Sequence, residues 1–129
     1  MAKIYFNFNL KIINKTMEKS IYKYSLDEKD CPELLTAGRN EIFGMEMIKN
    51  AEILCVRKQA EIRDGRPQVT GKIWVLVNPK ETEKEKRYFR LIETGQKFDD
   101  IDLKYIGTYQ VFGGEIILHL FERVGNIMK

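Results

Sequence analysis

The chain has 129 residues and a formal net charge of +3, from 22 lysines and arginines against 19 aspartates and glutamates. This length fits one domain that can bury a sufficient core without a metal or a disulfide. With 43% hydrophobic and 32% charged residues, the composition is that of a folded domain and not of a disordered chain. The small charge excess is spread along the sequence, which argues against a dedicated duplex-DNA binder.

Two cysteines, Cys31 and Cys55, and a single histidine, His119, limit the metal chemistry open to this chain. They include no CxxC pair and are too few soft ligands for a zinc site, so we predict no metal and no cofactor. The count allows one disulfide, but the framework of a disulfide-stapled secreted domain is absent. Cys55 lies in an apolar segment and is typical of a small core residue.

We expect neither a membrane-spanning segment nor a signal peptide. No apolar run approaches the roughly 18 residues that a membrane-spanning helix needs, so we predict no membrane association. Residues 1–16 contain three lysines but no compact apolar region and no small-residue cleavage site. These features argue against a signal peptide, and we expect a cytoplasmic protein.

Residues 4–12 alternate strictly between apolar and polar side chains, which predicts a strand with one apolar face. The apolar positions are Ile4, Phe6, Phe8, Leu10 and Ile12. An uncovered strand of this kind tends to pair with another strand edge, so we predict self-association through residues 4–12.

We divide the chain into three parts. Residues 1–16 are interpreted as an N-terminal extension that contains the predicted strand, residues 17–123 as a single β domain, and residues 124–129 as a tail. Met17 and Met1 are alternative starts, and the sequence leaves both open.

The first half of the domain is predicted to contain four strands and one short helix. The strands are expected over residues 20–26, 41–47, 51–62 and 69–78. Asp30 can cap a helix whose first turn contains Pro32, and Gly38 can end it in the left-handed conformation, which gives about two turns. The pair Asp64-Gly65 favours positive φ and predicts a tight hairpin between the last two strands.

The strand over residues 72–78 carries the only tryptophan, Trp74, and is apolar at every position from residue 73 to residue 77. Such a run is typical of a strand covered on both faces, so we interpret Trp74 as a core anchor. Further strands are expected over residues 86–93, 104–111 and 115–122, with an acidic helical turn over residues 98–103. The predicted core is Trp74, Val75, Leu76, Phe89, Leu118 and Phe121.

The count is seven or eight strands with turns about every ten residues, which predicts a mainly β fold. We expect an antiparallel sandwich or a small barrel with one or two short helical turns.

Several short motifs follow one another in a defined order. They are Trp74-Val75-Leu76-Val77-Asn78-Pro79, Thr94-Gly95, Tyr105-Ile106-Gly107-Thr108 and His119-Leu120-Phe121-Glu122. Over residues 18–123 the chain resembles a family of short uncharacterised proteins found in bacteriophages, prophages and bacterial genomes. The resemblance implies a mobile-element setting and an accessory role in an infected or lysogenic bacterial host. That family has no established activity, so the resemblance implies none for this chain.

The sequence departs from that family's pattern at three places. The segment formed by residues 27–40 is longer than its equivalent in that family, and the residues before Met17 have no counterpart there. Gln96 stands where a histidine often follows the Thr-Gly pair, which removes a second imidazole that could act together with His119.

Each candidate catalytic group has a simpler structural explanation. His119 lies between two leucines in an apolar strand, and we expect a core or rim histidine with one hydrogen bond, because a general base needs a partner and a cleft. Asp99, Asp100 and Asp102 lack the glycine and the terminal glutamate of a calcium loop and are interpreted as a solvated turn. No GxSxG, phosphate-binding or HExxH motif is present, so we predict no enzyme. Glycosidase-type carboxylate pairs stay open, because sequence spacing does not give spatial spacing.

Tyr88 and Arg90, together with Tyr105 and Tyr109 on a neighbouring strand, are predicted to form one aromatic and basic face. Such faces stack single-stranded bases and also form hot spots of protein interfaces. The simpler alternative is an ordinary half-exposed sheet surface, since tyrosine is a good strand former.

We therefore expect a non-enzymatic protein that binds a host protein, with a defence component as one candidate. A β module that binds a small molecule or nucleotide is the first alternative, and a single-stranded nucleic-acid binder is the second.

Overall fold

The computed structural model describes residues 18–35, 41–99 and 101–125. Within them, seven strands form two antiparallel sheets, which confirms the predicted mainly β sandwich. The strands are β1 (Ser20–Ser25), β2 (Ile42–Ile48), β3 (Glu52–Arg63), β4 (Arg66–Val77), β5 (Lys84–Glu93), β6 (Leu103–Val111) and β7 (Ile116–Arg123). Two 3-10 turns, Pro32–Leu35 and Phe112–Gly114, are the helical elements of this part of the chain.

The predicted helical segments differ from the observed ones. The segment that begins near Asp30 forms a single 3-10 turn, Pro32–Leu35, in which Leu34 N–H donates to the carbonyl of Cys31 at 3.0 Å. Residues 98–103 form no helix among their described members. Such short segments gain too few hydrogen bonds to hold a helix without packing. Residues 36–40 and the predicted strand over residues 4–12, with the self-association assigned to it, lie outside the described residues.

The hairpin predicted from Asp64-Gly65 joins β3 to β4. Asp64 and Gly65 have φ angles of 50° and 75°, as a two-residue hairpin turn requires, and Arg63 pairs with Arg66 across it. β4 is the central strand of the three-stranded sheet, whose order is β1-β4-β3. The four-stranded sheet has the order β2-β5-β7-β6.

The two sheets approach each other at both of their edges. On one side β3 packs on β6, where a Cβ added to Gly107 would lie 2.8 Å from Cγ1 of Val56. On the other side the N–H of Ile48 in β2 donates to the hydroxyl of Tyr24 in β1 at 3.0 Å. The sandwich is therefore nearly closed, which leaves few free strand edges among the described residues.

The hydrophobic core lies between the sheets. It contains Leu26, Cys31, Phe43, Met45, Met47, Ala51, Val56, Ile73, Val75, Val77, Phe89, Tyr109 and Leu120. Of the residues that we expected here, Val75 and Phe89 are fully buried, and Leu118 is half-buried against the core. Cys31 and Cys55 are both free thiols, so no disulfide contributes.

The prediction that the Trp74 strand is covered on both faces is wrong. Ile73 and Val75 point into the core, so Trp74 and Leu76 lie on the outer face of the three-stranded sheet, where both are half-buried. The Nζ of Lys23 lies 5.3 Å from the centroid of the Trp74 ring. The apolar run thus reflects a strand with one buried face and one face partly covered by neighbouring side chains.

Lys72 lies on the same outer face and is only 1% exposed. Its Nζ donates to Oγ of Ser25 at 2.5 Å and to Oε1 of Glu61 at 2.7 Å. Arg63 extends the network, because its guanidinium contacts Glu61 at 2.7 Å and Asp27 at 2.5 Å. Burying an ammonium is costly unless it is paired and hydrogen-bonded, and here both conditions are met.

Candidate functional site

The outer face of the four-stranded sheet carries three of the four residues predicted to form a binding face. Tyr88 lies opposite Arg123, while Arg90 and Tyr105 both lie opposite Phe121. Residues paired directly across antiparallel strands share a face, so these five side chains project from one side of the sheet. Phe121 was predicted to belong to the core, but it faces outward because its neighbours Leu120 and Glu122 point inward.

Tyr109 does not belong to this face, and the prediction that it does is wrong. The pairing of β6 with β7 shifts between Tyr105 and Gly107, so Ile106 is the extra residue of a β-bulge. In a regular strand, Tyr105 and Tyr109 would share a face because they are four residues apart. The bulge turns Tyr109 inward, where it is 7% exposed and where burial raises the pKa of its hydroxyl above the ordinary value.

Three aromatic rings form a cluster on the outer face of this sheet, which we call the aromatic surface: Phe98, Tyr105 and Phe121. The ring centroids of Phe98 and Phe121 are 5.3 Å apart, and those of Tyr105 and Phe121 are 5.5 Å apart. Both distances lie within the range of favourable aromatic pairs. Phe98 is 41% exposed and Tyr105 is 56% exposed, so the cluster presents rings to solvent.

Phe98 was missed as a surface residue by the sequence reasoning, which placed it in an acidic helical turn. It lies in the segment after β5, and that segment crosses the outer face of the sheet. A phenylalanine followed by acidic residues is the only local signal, and it does not reveal which strand the ring contacts.

A shallow cleft of 290 Å³ adjoins the aromatic surface. It is lined by Ile42, Arg90, Asp99, Ile101, Leu103 and Arg123. Nη1 of Arg90 donates to the backbone carbonyl of Asp99 at 3.3 Å, which ties the crossing segment to β5. Ile101 is 71% exposed at this cleft. The border of the aromatic surface therefore combines apolar side chains with two arginines and one aspartate.

Tyr88 is less exposed to solvent than Tyr105. It is half-buried, and the Nζ of Lys86 lies 5.8 Å from its ring centroid. Lys86 itself pairs with Glu33, and this hydrogen bond is the main reason why the pKa of Glu33 is lowered. Tyr88 thus contributes to the edge of the surface near β2 and not to its centre.

His119 lies next to the aromatic surface with both ring nitrogens hydrogen-bonded. Nε2 is 2.7 Å from Oγ1 of Thr94, and Nδ1 is 2.8 Å from Oγ1 of Thr108. The Thr108 hydroxyl is in turn 2.5 Å from the hydroxyl of Tyr105. The histidine therefore makes two hydrogen bonds where we expected one, and the chain of contacts orients Tyr105 in the aromatic surface.

In the described residues, hydroxyl groups contact a possible base at His119 and at Lys72, and neither place has the partners that a catalytic site requires. A triad requires a third group that orients the base, and within the described residues the imidazole of His119 contacts hydroxyls and no carboxylate. Ser25 and Lys72 are close enough to resemble a serine–lysine dyad, but Ser25 is buried and Lys72 is paired with Glu61. The hydrogen bonds of His119 and of the Ser25–Lys72 pair are therefore interpreted as contacts that stabilise the fold.

Metal ligands do not converge in the described part of the chain, where no group of three or more histidine, cysteine, aspartate or glutamate side chains comes together. Asp99, one of the acidic residues considered above, accepts a hydrogen bond from the N–H of Ile101 at 3.2 Å. This contact is that of a turn. Asp100 lies outside the described residues.

The fold and surface together define a small antiparallel β-sandwich domain with an exposed aromatic cluster on one sheet. Residues 17–127 match the family model described as Domain of unknown function (DUF7352), and the chain belongs to that family. No curated protein and no solved structure matches the chain. Across residues 18–35, 41–99 and 101–125, no helix is long and apolar enough to cross a membrane.

Proposed function

We propose that this chain is a non-enzymatic accessory protein of a mobile element that binds a host protein through the aromatic surface. The observation that supports this proposal is the contact cluster of Phe98, Tyr105 and Phe121, in which the rings of Phe98 and Tyr105 are exposed although both pack on the half-buried Phe121. Exposed apolar groups that form a contiguous patch mark interaction sites more often than scattered ones do.

The residue types of this surface match those of protein interfaces. Aromatic residues and arginine are enriched at interfaces and dominate their hot spots, and here Arg90 and Arg123 border the rings. Tyr105 and Phe121 stand on paired strands of a four-stranded sheet, so little conformational entropy is lost when these two rings are bound. The partner is a protein whose binding site offers an apolar depression with acidic residues at its rim.

The biological setting rests on the resemblance to phage, prophage and bacterial proteins. An accessory protein of a mobile element acts on components of its bacterial host, in the cytoplasm, and a defence component is one such target. No catalytic arrangement competes with this function in the described residues, since the hydroxyl pairs at His119 and Lys72 have structural explanations.

The test is a comparison of variants in bacterial lysate. The full chain, the double variant Phe98→Ala/Tyr105→Ala and the control Ile21→Ala are each used as bait, and enriched proteins are identified by mass spectrometry. Ile21 is an equally exposed apolar residue on the three-stranded sheet. We expect at least one host protein that the wild type and Ile21→Ala retain and the double variant loses. A partner retained equally by all three baits would contradict the proposed surface.

Single-stranded nucleic acid is a second candidate, favoured by the same rings beside two arginines, because base–aromatic stacking with basic flanks is the usual mode of such binding. Fluorescence anisotropy with a labelled oligothymidine and an oligouridine at low salt distinguishes the two. Binding that weakens steeply with salt and is lost in Phe98→Ala/Tyr105→Ala would favour nucleic acid. No binding at low salt would remove this candidate and leave the protein partner.

A further inference from the structure

A second site lies between the sheets, away from the aromatic surface. It is a cleft of 720 Å³ at the end of the sandwich where the turn Phe112–Gly114 joins β6 to β7. Its walls are mostly apolar and come from both sheets and from the segment after β1: Leu26, Leu34, Val69, Leu91, Val111 and Leu118. This volume and lining are typical of pockets that hold a small organic molecule.

Tyr109 supplies a polar group inside this apolar cleft. The residue is 7% exposed, yet within the described part of the chain no group exchanges a hydrogen bond with its hydroxyl. Tyr24 is a contrast in the same protein, since its hydroxyl accepts from the N–H of Ile48 at 3.0 Å. Among the described residues no enclosed side-chain nitrogen or oxygen lacks a partner, so the Tyr109 hydroxyl is open to the cleft and can donate to a molecule there.

Gly71 makes room for this phenol. A Cβ at position 71 would lie 2.6 Å from Cζ and 2.8 Å from the hydroxyl oxygen of Tyr109, which no unstrained packing permits. Because Gly71 lies in the interior of β4, where glycine costs strand stability, its presence is explained by the space that the Tyr109 ring needs.

The charges at the cleft favour an anion. Two charged residues are among its lining groups, Asp27 and Lys58. Asp27 is neutralised by Arg63, whose Nη1 is 2.5 Å from its carboxylate. Lys58 is exposed and has no ion pair within the described residues. The remaining local charge is therefore positive.

We propose that this cleft binds a small, mainly apolar molecule with one carboxylate, of the class of medium-chain carboxylic acids. The apolar body packs against the leucines and valines of the two sheets. An oxygen of the ligand accepts from the hydroxyl of Tyr109, and the negative charge is attracted by Lys58. A phenol is protonated at neutral pH, and burial raises the pKa of this one further, so its hydroxyl can act as a donor.

The experiment is isothermal titration calorimetry of the full chain with three probes that share an unbranched ten-carbon chain: decanoate, decanol and decyltrimethylammonium. We expect decanoate to bind most tightly and the cation most weakly. Absence of decanoate binding at concentrations below its micelle formation, or tighter binding of the cation, would overturn the proposal.

Variants then locate the site. Tyr109→Phe removes only the hydroxyl, and we expect decanoate to bind about fivefold more weakly, the usual effect of one lost hydrogen bond. Lys58→Gln should weaken decanoate but not decanol, whereas Lys84→Gln, an exposed lysine that does not line the cleft, should change neither. Val69→Trp, at an exposed wall position, should block all three probes.

The variants also provide a clear negative result. If decanoate binds with unchanged affinity to both Tyr109→Phe and Val69→Trp, the ligand lies elsewhere and the cleft is not its site. Thermal unfolding of each variant checks that it is folded. We expect Tyr109→Phe to fold, because it keeps the ring that packs beside Gly71.

Discussion

The outer faces of the two sheets differ in how far their charged and aromatic side chains are paired with one another or exposed to solvent. On the three-stranded sheet, the charged groups Lys72, Glu61 and Arg63 bind one another, and the lysine is almost fully buried. On the four-stranded sheet, the rings of Tyr105 and Phe98 remain substantially exposed. The groups of the first face bind one another and stabilise the fold, whereas we propose that the exposed rings of the second face bind a partner.

The largest effect on stability is expected at Lys72. Lys72→Ala removes a buried ammonium together with its packed stem and leaves Oγ of Ser25 only the longer contact from Nη2 of Arg63 at 3.5 Å, so we expect a loss of about 3 kcal/mol in the free energy of unfolding. Urea unfolding measures it. Lys80→Ala, at an exposed lysine whose nearest carboxylate is 3.8 Å away, is the control and should change little. Equal losses in both variants would contradict a structural role for the buried network.

The next largest effect is expected in binding. Tyr105→Ala removes the most exposed ring of the aromatic surface, and we expect affinity for the partner protein to fall about thirtyfold, as for an interface hot spot of about 2 kcal/mol. Calorimetry with the purified partner checks this. Tyr22→Ala, at an exposed tyrosine of the three-stranded sheet, should leave the affinity unchanged. A larger loss for Tyr22→Ala would reverse the roles that we assign to the two sheets.

A smaller effect is expected from acid. The hydrogen bond from Lys72 is the main cause that lowers the pKa of Glu61 from its ordinary value of 4.5. A carboxylate whose pKa is lower in the folded state stabilises the fold above the unfolded pKa, and this stability is lost as the pH falls through the folded pKa. Urea unfolding between pH 6 and pH 3 should therefore show declining stability below about pH 4.5.

The variant Lys72→Ala sharpens the acid experiment. Without the lysine, the main cause of the lowered pKa is gone, and the decline below the ordinary carboxyl pKa should be shallower than in the wild type. Parallel declines in both proteins would show that the Lys72–Glu61 pair does not contribute to the acid sensitivity.

The smallest effect is expected at Thr108, which contacts the aromatic surface only through Tyr105. Thr108→Val breaks its hydrogen bonds to His119 and to the Tyr105 hydroxyl while keeping its shape. We expect affinity for the partner to fall about threefold, since the ring of Tyr105 loses its orientation but not its contact area. An effect as large as that of Tyr105→Ala would indicate that the hydrogen-bonded side chains of Thr108 and His119 contact the partner themselves.

Much of the fold could be predicted because its signals are local. The Asp64-Gly65 turn, with positive φ at both residues, determines the β3–β4 hairpin, and alternation identifies most of the strands. The outward position of Trp74 could not be predicted in this way. A continuous apolar run does not show which face is covered, and here the cover is the side chain of Lys23 from a strand distant in sequence.

The candidate site was predictable only in part. Tyr88 and Arg90 share a face because the period of a regular strand places them there, and the pairing of β5 and β6 with β7 puts Tyr105 on the same face. Tyr109 was assigned to the wrong face, since a bulge at Ile106 shifts every later residue of β6 and leaves no distinctive sequence signal. The contribution of Phe98 depends on how a loop crosses the sheet, which is a tertiary feature.

The most direct test of the aromatic surface as the binding site is hydrogen–deuterium exchange of the chain, free and in complex with the host protein enriched in lysate. We predict that protection on binding is confined to β6, β7 and the segment around Phe98 and Asp99, with β1 and β4 unchanged. Protection of β1 and β4 in the complex, with the Phe98 segment and β7 exchanging as in the free protein, would contradict the account.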